Sequence, residues 1–263
     1  MLRLENKVAF VTGAGAGIGR ACAQLFVAEG ARVVIAEIDE DSGRATQALV
    51  GDDHGLFVKT DVTSEDSISA ALQAAEGRFG HINILINCAG GSIADDSSVT
   101  TVAPEVWDHT INLDLKGPFL CCRLGIPYLE KAGGGSIVNF TSVVALKGAF
   151  GGHVYSAAKG AIISLTQALA GTYWRQNIRA NAIAPGIVLS DRVAGRVLTD
   201  LTAPADEQIA ESIAQDSRLV DRRHPFGHGM PEDIANVALF LASDESRMVN
   251  AAVIPAEGGA SHY

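Results

Sequence analysis

Residues 7–19 read KVAFVTGAGAGIG, and this stretch decides the fold. The apolar run 7–12 stops at Gly13. Helical spacing then begins, with Ile18, Ala21, Cys22, Leu25 and Phe26 on one stripe. A strand that passes through a glycine turn into a helix opens an α/β unit.

The same alternation continues outward from this stretch. Apolar runs recur at 32–36, 55–59, 82–86, 136–140, 178–183 and 251–254. They are continuous rather than alternating, as in parallel strands covered on both faces. Helical patterns fit 18–29, 64–78, 105–115, 119–131, 154–176 and 232–242; Ser64-Glu65-Asp66-Ser67 reads as a capped first turn, and Pro231 suits a first helical position. The prediction is an α/β fold: a single-domain, Rossmann-type, doubly wound parallel sheet of about seven strands with helices on both faces. One domain over 1–263 is expected, since no linker, repeat or low-complexity stretch interrupts it. The excursion at 187–227, with seven acids and five arginines, breaks the alternation. Val193, Val197 and Leu201 predict one short amphipathic helix there, and Ile209 and Ile213 a second. A lid over a site is expected from it, the alternative being a surface elaboration or subunit contact.

Composition narrows the function. The 263 residues are 48% hydrophobic and 19% charged, which excludes wholesale disorder. A net charge of −10 gives no electrostatic footprint for nucleic acid. No apolar run is long enough for a membrane span, and the N-terminus enters the first strand without a signal-peptide pattern. Cys22, Cys88, Cys121 and Cys122 form no metal or redox spacing, so buried thiols in a reducing, cytoplasmic compartment are expected and no metal is required.

The glycine turn fits G-x-x-x-G-x-G at Gly13, Gly17 and Gly19 rather than the strict G-x-G-x-x-G. Glycines there let backbone N–H groups approach a pyrophosphate at a helix N-terminus. Glu37 ends the second strand, 20 residues past Gly17. An acid at that place accepts hydrogen bonds from ribose hydroxyls and repels the extra phosphate of NADP; Ala16 and Ile38 supply no cation for it. NAD is therefore expected over NADP. Tyr155 and Lys159, four apart, share one helix face. A tyrosine with a pKa of about 10 is a poor base near neutrality, and an adjacent ammonium favours its phenolate. Such a pair can exchange a proton with an alcohol or ketone oxygen. Ser142 follows a strand 13 residues before Tyr155; Asn87-Cys88-Ala89-Gly90 and Pro185-Gly186 end two more strands, and Asn112 lies in Ile111-Asn112-Leu113.

With these pieces in this order, together with Asp61-Val62, Pro231-Glu232-Asp233-Ile234-Ala235 and Glu257-Gly258-Gly259, the chain resembles the short-chain dehydrogenase/reductase family over nearly its whole length. The resemblance implies an NAD-dependent oxidoreductase that acts on CH–OH groups. It implies Tyr155 as general acid/base and Lys159 as the group that lowers its pKa and binds the nicotinamide ribose. Ser142 would hold the substrate oxygen, and Asn112 a water relaying protons from Lys159. Gly13, Gly17, Ile18 and Gly19 would form the phosphate turn, with Glu37 on the ribose and Asp61 and Val62 at the adenine. Asn87, Ala89 and Gly90 would line the coenzyme, and Pro185, Gly186, Val188 and Ser190 would position its nicotinamide. A homotetramer is implied, with 105–131 and 154–176 as interface elements, and the tail from Ala260 could reach a neighbouring site.

The substrate loops expected at 91–96, 143–153 and 187–227 carry the apolar Val143, Val144, Leu146, Phe150 and Val193, and no arginine sits at a fixed motif position near Tyr155, which favours a neutral, rather apolar secondary alcohol or ketone; His153 is a further candidate contact. Two alternatives stay open: an NADPH-dependent 3-oxoacyl-carrier-protein reductase, and a non-enzymatic dinucleotide-binding sensor.

Overall fold

A computed structural model describes residues 2–148, 150–190, 226 and 228–262. The helices expected around Val193 and Ile209, and with them the lid, lie outside the described residues. The elements run β1 (Val8–Thr12), α1 (Gly17–Ala28), β2 (Arg32–Glu37), α2 (Glu40–Val50), β3 (Gly55–Lys59), α3 (Glu65–Phe79), β4 (Ile84–Asn87), α4 (Pro104–Ile111), α5 (Gly117–Lys131), β5 (Gly135–Phe140), α6 (His153–Tyr173), β6 (Ile178–Pro185), α7 (Pro231–Ala242) and β7 (Val253–Ala256). The seven strands form one sheet in the order β3-β2-β1-β4-β5-β6-β7, and every pairing is parallel.

Strand residues alternate between two cores. Ala9, Val11, Val33, Ile35, Ile84 and Ile86 face α1 and α7, where Cys22, Phe26, Ile234 and Leu239 meet them. Val8, Phe10, Val34, Leu85 and Ile137 face α3 and α5, against Ile68, Leu72, Leu120 and Ile126. Both faces are thus covered, which is why the strands read as unbroken apolar runs. Cys22, Cys121 and Cys122 are buried free thiols, and burial pushes the Cys122 thiol up to about 12. No helix of the described residues is long and apolar enough to cross a membrane.

Two expectations needed correction. Helix α2 has no counterpart in the sequence reading, because its buried face is built from Gly43, Thr46 and Val50 rather than from large apolar residues. Its start signal was present: the Asp39 carboxylate accepts from Ser42 N, and Glu40 and Asp41 sit in the first turn. The patterns at 105–115 and 119–131 form one continuous rod, in which a π-helical turn at Asn112–Lys116 joins α4 to α5. Such turns rotate the residues that follow them and recur at functional sites.

Candidate active site

The strand order reverses between β1 and β4, so the loops leaving their C-terminal ends diverge and open a crevice. Thr12 Oγ1 ties the two ends together, donating to the Ile86 carbonyl oxygen and accepting from Cys88 N and Ala89 N. The crevice widens into a cleft of about 1110 Å³.

At one end lies the glycine turn. Gly13 and Gly17 take φ of +65° and +51°, a region that favours glycine. A Cβ at Gly13 would come within 2.9 Å of Ala89 Cα, and one at Gly19 would overlap the Gly13 carbonyl. Helix α1 starts here with no side-chain cap and no acid in its first turn, whereas α2 and α3 have both. Its free N–H groups and positive dipole end therefore remain available for an anion. Glu37 borders the same region. Its Oε2 accepts from Gly15 N at 2.9 Å, and its Oε1 from Ile38 N and Asp39 N. Asp61 is braced by Thr63, whose N and Oγ1 both donate to Asp61 Oδ1.

Gly13, Gly17, Ile18, Gly19, Glu37, Asp61 and Val62 all line the cleft. So do Ala89, Gly90, Ser142, Tyr155 and Lys159, and, on the far side, Pro185, Gly186, Val188 and Ser190. Asn87 does not. It is 2% exposed, and its amide donates to Asn139 Oδ1 and Cys122 Sγ inside the sheet. Its strand-end position points it into the core, and the turn residues after it face the cleft.

The reactive end is assembled on α6. The Asp96 carboxylate accepts from Val154 N at 3.2 Å and Tyr155 N at 2.8 Å, serving the first turn that Gly152 cannot cap with a side chain. Tyr155 and Lys159 follow one turn apart, with Lys159 Nζ 5.5 Å from the Tyr155 ring centroid. Phe150 leans on the same ring at a centroid distance of 6.2 Å. Ser142 is 9% exposed, and its Oγ accepts weakly from Val144 N at 3.4 Å. Lys159 is 4% exposed and donates to the Phe140 carbonyl at 3.1 Å. Burial opposes its charge, but Tyr155 and the Asp114 carboxylate outweigh that and hold its pKa above the ordinary lysine value.

The side chain that meets Lys159 from the π turn is Asp114, not Asn112. Asn112 is exposed and does not border the cleft. Asp114 is fully buried, with Oδ1 3.1 Å from Lys159 Nζ and 2.7 Å from Gly91 N, from which it accepts. A helix turns about 200° over two residues, so Asn112 and Asp114 cannot face the same way. Val106, Thr110 and Asp114 are spaced four apart and buried; Asp108, Asn112 and Lys116 are spaced four apart and exposed. That period was a readable signal. Thr141 also borders the cleft and escaped the sequence reading; Lys147 borders it from within the expected loop 143–153, and so does Ala260, where the tail expected at a neighbouring site begins. Ala260 reaches its own chain's cleft, where its carbonyl accepts from Lys147 Nζ at 2.6 Å. His153 and Leu146 do not line it; His153 Nδ1 accepts from Val99 N.

A family model described as enoyl-(acyl carrier protein) reductase matches residues 13–261. The chain is 38% identical to the 3-oxoacyl-(acyl-carrier-protein) reductase FabG of Thermotoga maritima, over 98% of this chain and 99% of that one. It is 36% identical to the cis-4-hydroxycyclohexanecarboxylate dehydrogenase of Sinomonas cyclohexanicum, over 97% and 96%. Among solved structures, one described as a putative short-chain dehydrogenase/reductase from Burkholderia xenovorans superposes with a TM-score of 0.88 at 32% identity, covering 100% of this chain and 99% of that one.

Proposed function

Because the chain belongs to the short-chain dehydrogenase/reductase family, an oxidoreductase family that uses a nicotinamide dinucleotide on small molecules, we propose that it moves a hydride between NAD(H) and a secondary alcohol or ketone. The observation that carries this reading is the convergence of Ser142, Tyr155 and Lys159 on one cleft whose other end is an uncapped helix N-terminus.

The residues fit the coenzyme. Gly13, Gly17 and Gly19 present no Cβ to a pyrophosphate, and the open N-terminus of α1 suits its charge. Glu37 would hold the adenosine ribose, Asp61 and Val62 the adenine, and Gly186, Val188 and Ser190 the nicotinamide end. When bound, the coenzyme supplies the hydride acceptor or donor. In oxidation, Ser142 Oγ orients the substrate oxygen while Tyr155 takes the hydroxyl proton, leaving the carbon free to release its hydride. In reduction, Tyr155 returns that proton to the oxygen. Lys159 keeps a positive charge beside the phenol.

NAD over NADP rests on Glu37. Its carboxylate borders the cleft, while the cations lining it among the described residues are engaged elsewhere: Lys159 by Asp114 and Lys147 by Ala260. Val143, Val144 and Phe150 border the reactive end and favour a neutral, rather apolar substrate. The likeness to a 3-oxoacyl-(acyl-carrier-protein) reductase favours a second reading, with NADPH and an acyl thioester. We place the enzyme in the cytoplasm, which its four free thiols suit, and expect a homotetramer built on α4, α5 and α6; light scattering that returned a monomer would end the assembly claim.

Tyr155→Phe tests the assignment. Calorimetry should show coenzyme binding retained and the spectrophotometric assay should show turnover lost; retained turnover would remove Tyr155 from proton transfer.

A further inference from the structure

We propose that Asp114 is the buried counter-ion of Lys159, and that its negative charge sets the pH range over which Tyr155 can exchange protons. The proposal rests on Tyr155 as the acid/base. Three observations carry it. The Asp114–Lys159 pair is almost without solvent, with side chains 1% and 5% exposed at 3.1 Å. The second carboxylate oxygen, Oδ2, is buried and accepts no hydrogen bond among the described residues. The backbone is shaped around the carboxylate: Gly91 N donates to it, and a Cβ at Gly90 would overlap Asp114 Oδ1.

The groups around Lys159 come from four directions. Tyr155 lies on its own helix, Asp114 on the π turn, Cys88 on the loop after β4, and the Phe140 carbonyl at the end of β5. Asp96 meets the backbone at the start of α6. Glu105, Asp108 and His109 of α4 and Lys116 of the π turn are exposed, where water screens them. Asp114 is thus the acid in direct contact with the ammonium.

The consequences follow from charge. An amide in place of Asp114 would accept from Gly91 N and Lys159 through the same oxygen, so its role would be positional only. A carboxylate also offsets the ammonium, and burial strengthens that effect. Lys159 therefore stays protonated despite desolvation, but it draws Tyr155 toward the phenolate less strongly than an uncompensated ammonium would. The chain's window for proton exchange lies at higher pH than the same site carrying an amide.

Asp114→Asn is isosteric and removes only the charge. The readout is the phenolate absorbance of Tyr155 against pH, obtained by subtracting the Tyr155→Phe counterpart from each protein, with folding checked by circular dichroism. The phenolate should form at lower pH in Asp114→Asn, by on the order of one pH unit. Asn112→Asp, which adds a charge at the exposed position, should leave the curve in place. An unmoved or upward-shifted curve in folded Asp114→Asn would overturn the proposal, and Asp114→Ser serves as the neutral variant should the amide not fold. This titration needs no substrate. A downward shift in a protein that turns over nothing would therefore sustain the counter-ion while refuting the reading of the reaction.

Discussion

In the proposed reading, the coenzyme choice rests on one carboxylate, that of Glu37. Three backbone N–H groups, from Gly15, Ile38 and Asp39, hold it at the cleft edge, so its charge is fixed in place rather than free to swing away. A 2′-phosphate brought there would meet that charge, and the cations that line the cleft among the described residues, Lys147 and Lys159, are paired with Ala260 and Asp114. Glu37→Ser should raise kcat/KM with NADP(H) and lower it with NAD(H), narrowing the preference by at least ~10-fold, which corresponds to about 1.4 kcal/mol; steady-state kinetics with both coenzymes checks this. Glu37, Tyr155 and Lys159 were legible because each sits at a fixed distance from a punctuating feature of the sequence. Asp114 was not. Two polar residues two apart competed for one role, and residue type pointed to Asn112 while helical period pointed to Asp114. Asn87 misled for the opposite reason: the motif that contains it faces the cleft, but its own side chain belongs to the buried network.

The strand–turn–helix unit works because its glycines let backbone touch backbone. Gly19 lies under the Gly13 carbonyl with no room for a methyl group, so β1, the turn and α1 move together or not at all. Gly19→Ala should cost about 1–3 kcal/mol of stability by overpacking, despite alanine's better helix propensity. Urea unfolding should show a lower midpoint, and calorimetry weaker coenzyme binding. An unchanged midpoint would mean that the turn relaxes freely. All seven strands were readable, the inner ones because burial on both faces leaves continuous apolar runs; β3 kept the expected ends, and those of the others shifted by one or two residues. Helix α2 was missed because its packing face is Gly43 and Thr46, small enough for close approach but invisible to a hydrophobic period. The π turn was missed because the apolar pattern continues through it and only the phase changes.

At the scale of the molecule, parallel strands place every C-terminal strand end on one edge, and the order reversal opens that edge between β1 and β4. The glycine turn and Tyr155 then share one cleft although they lie more than a hundred positions apart in sequence. Neither substrate nor assembly is written in this geometry as plainly as the reaction class. Val143, Val144 and Phe150 border the reactive end without naming a substrate, and segment 191–225 lies outside the described residues. The central claim is an NAD(H)-dependent exchange of hydride with a secondary alcohol or ketone. It is tested most directly by following the reduced-nicotinamide absorbance band. The purified protein would meet a panel of secondary alcohols, ketones and 3-oxoacyl thioesters, with NAD(H) and NADP(H) in parallel. The account predicts turnover of at least one alcohol or ketone with NAD(H), faster than with NADP(H). Turnover confined to NADPH and acyl thioesters would contradict it, as would coenzyme binding with no turnover of any panel member.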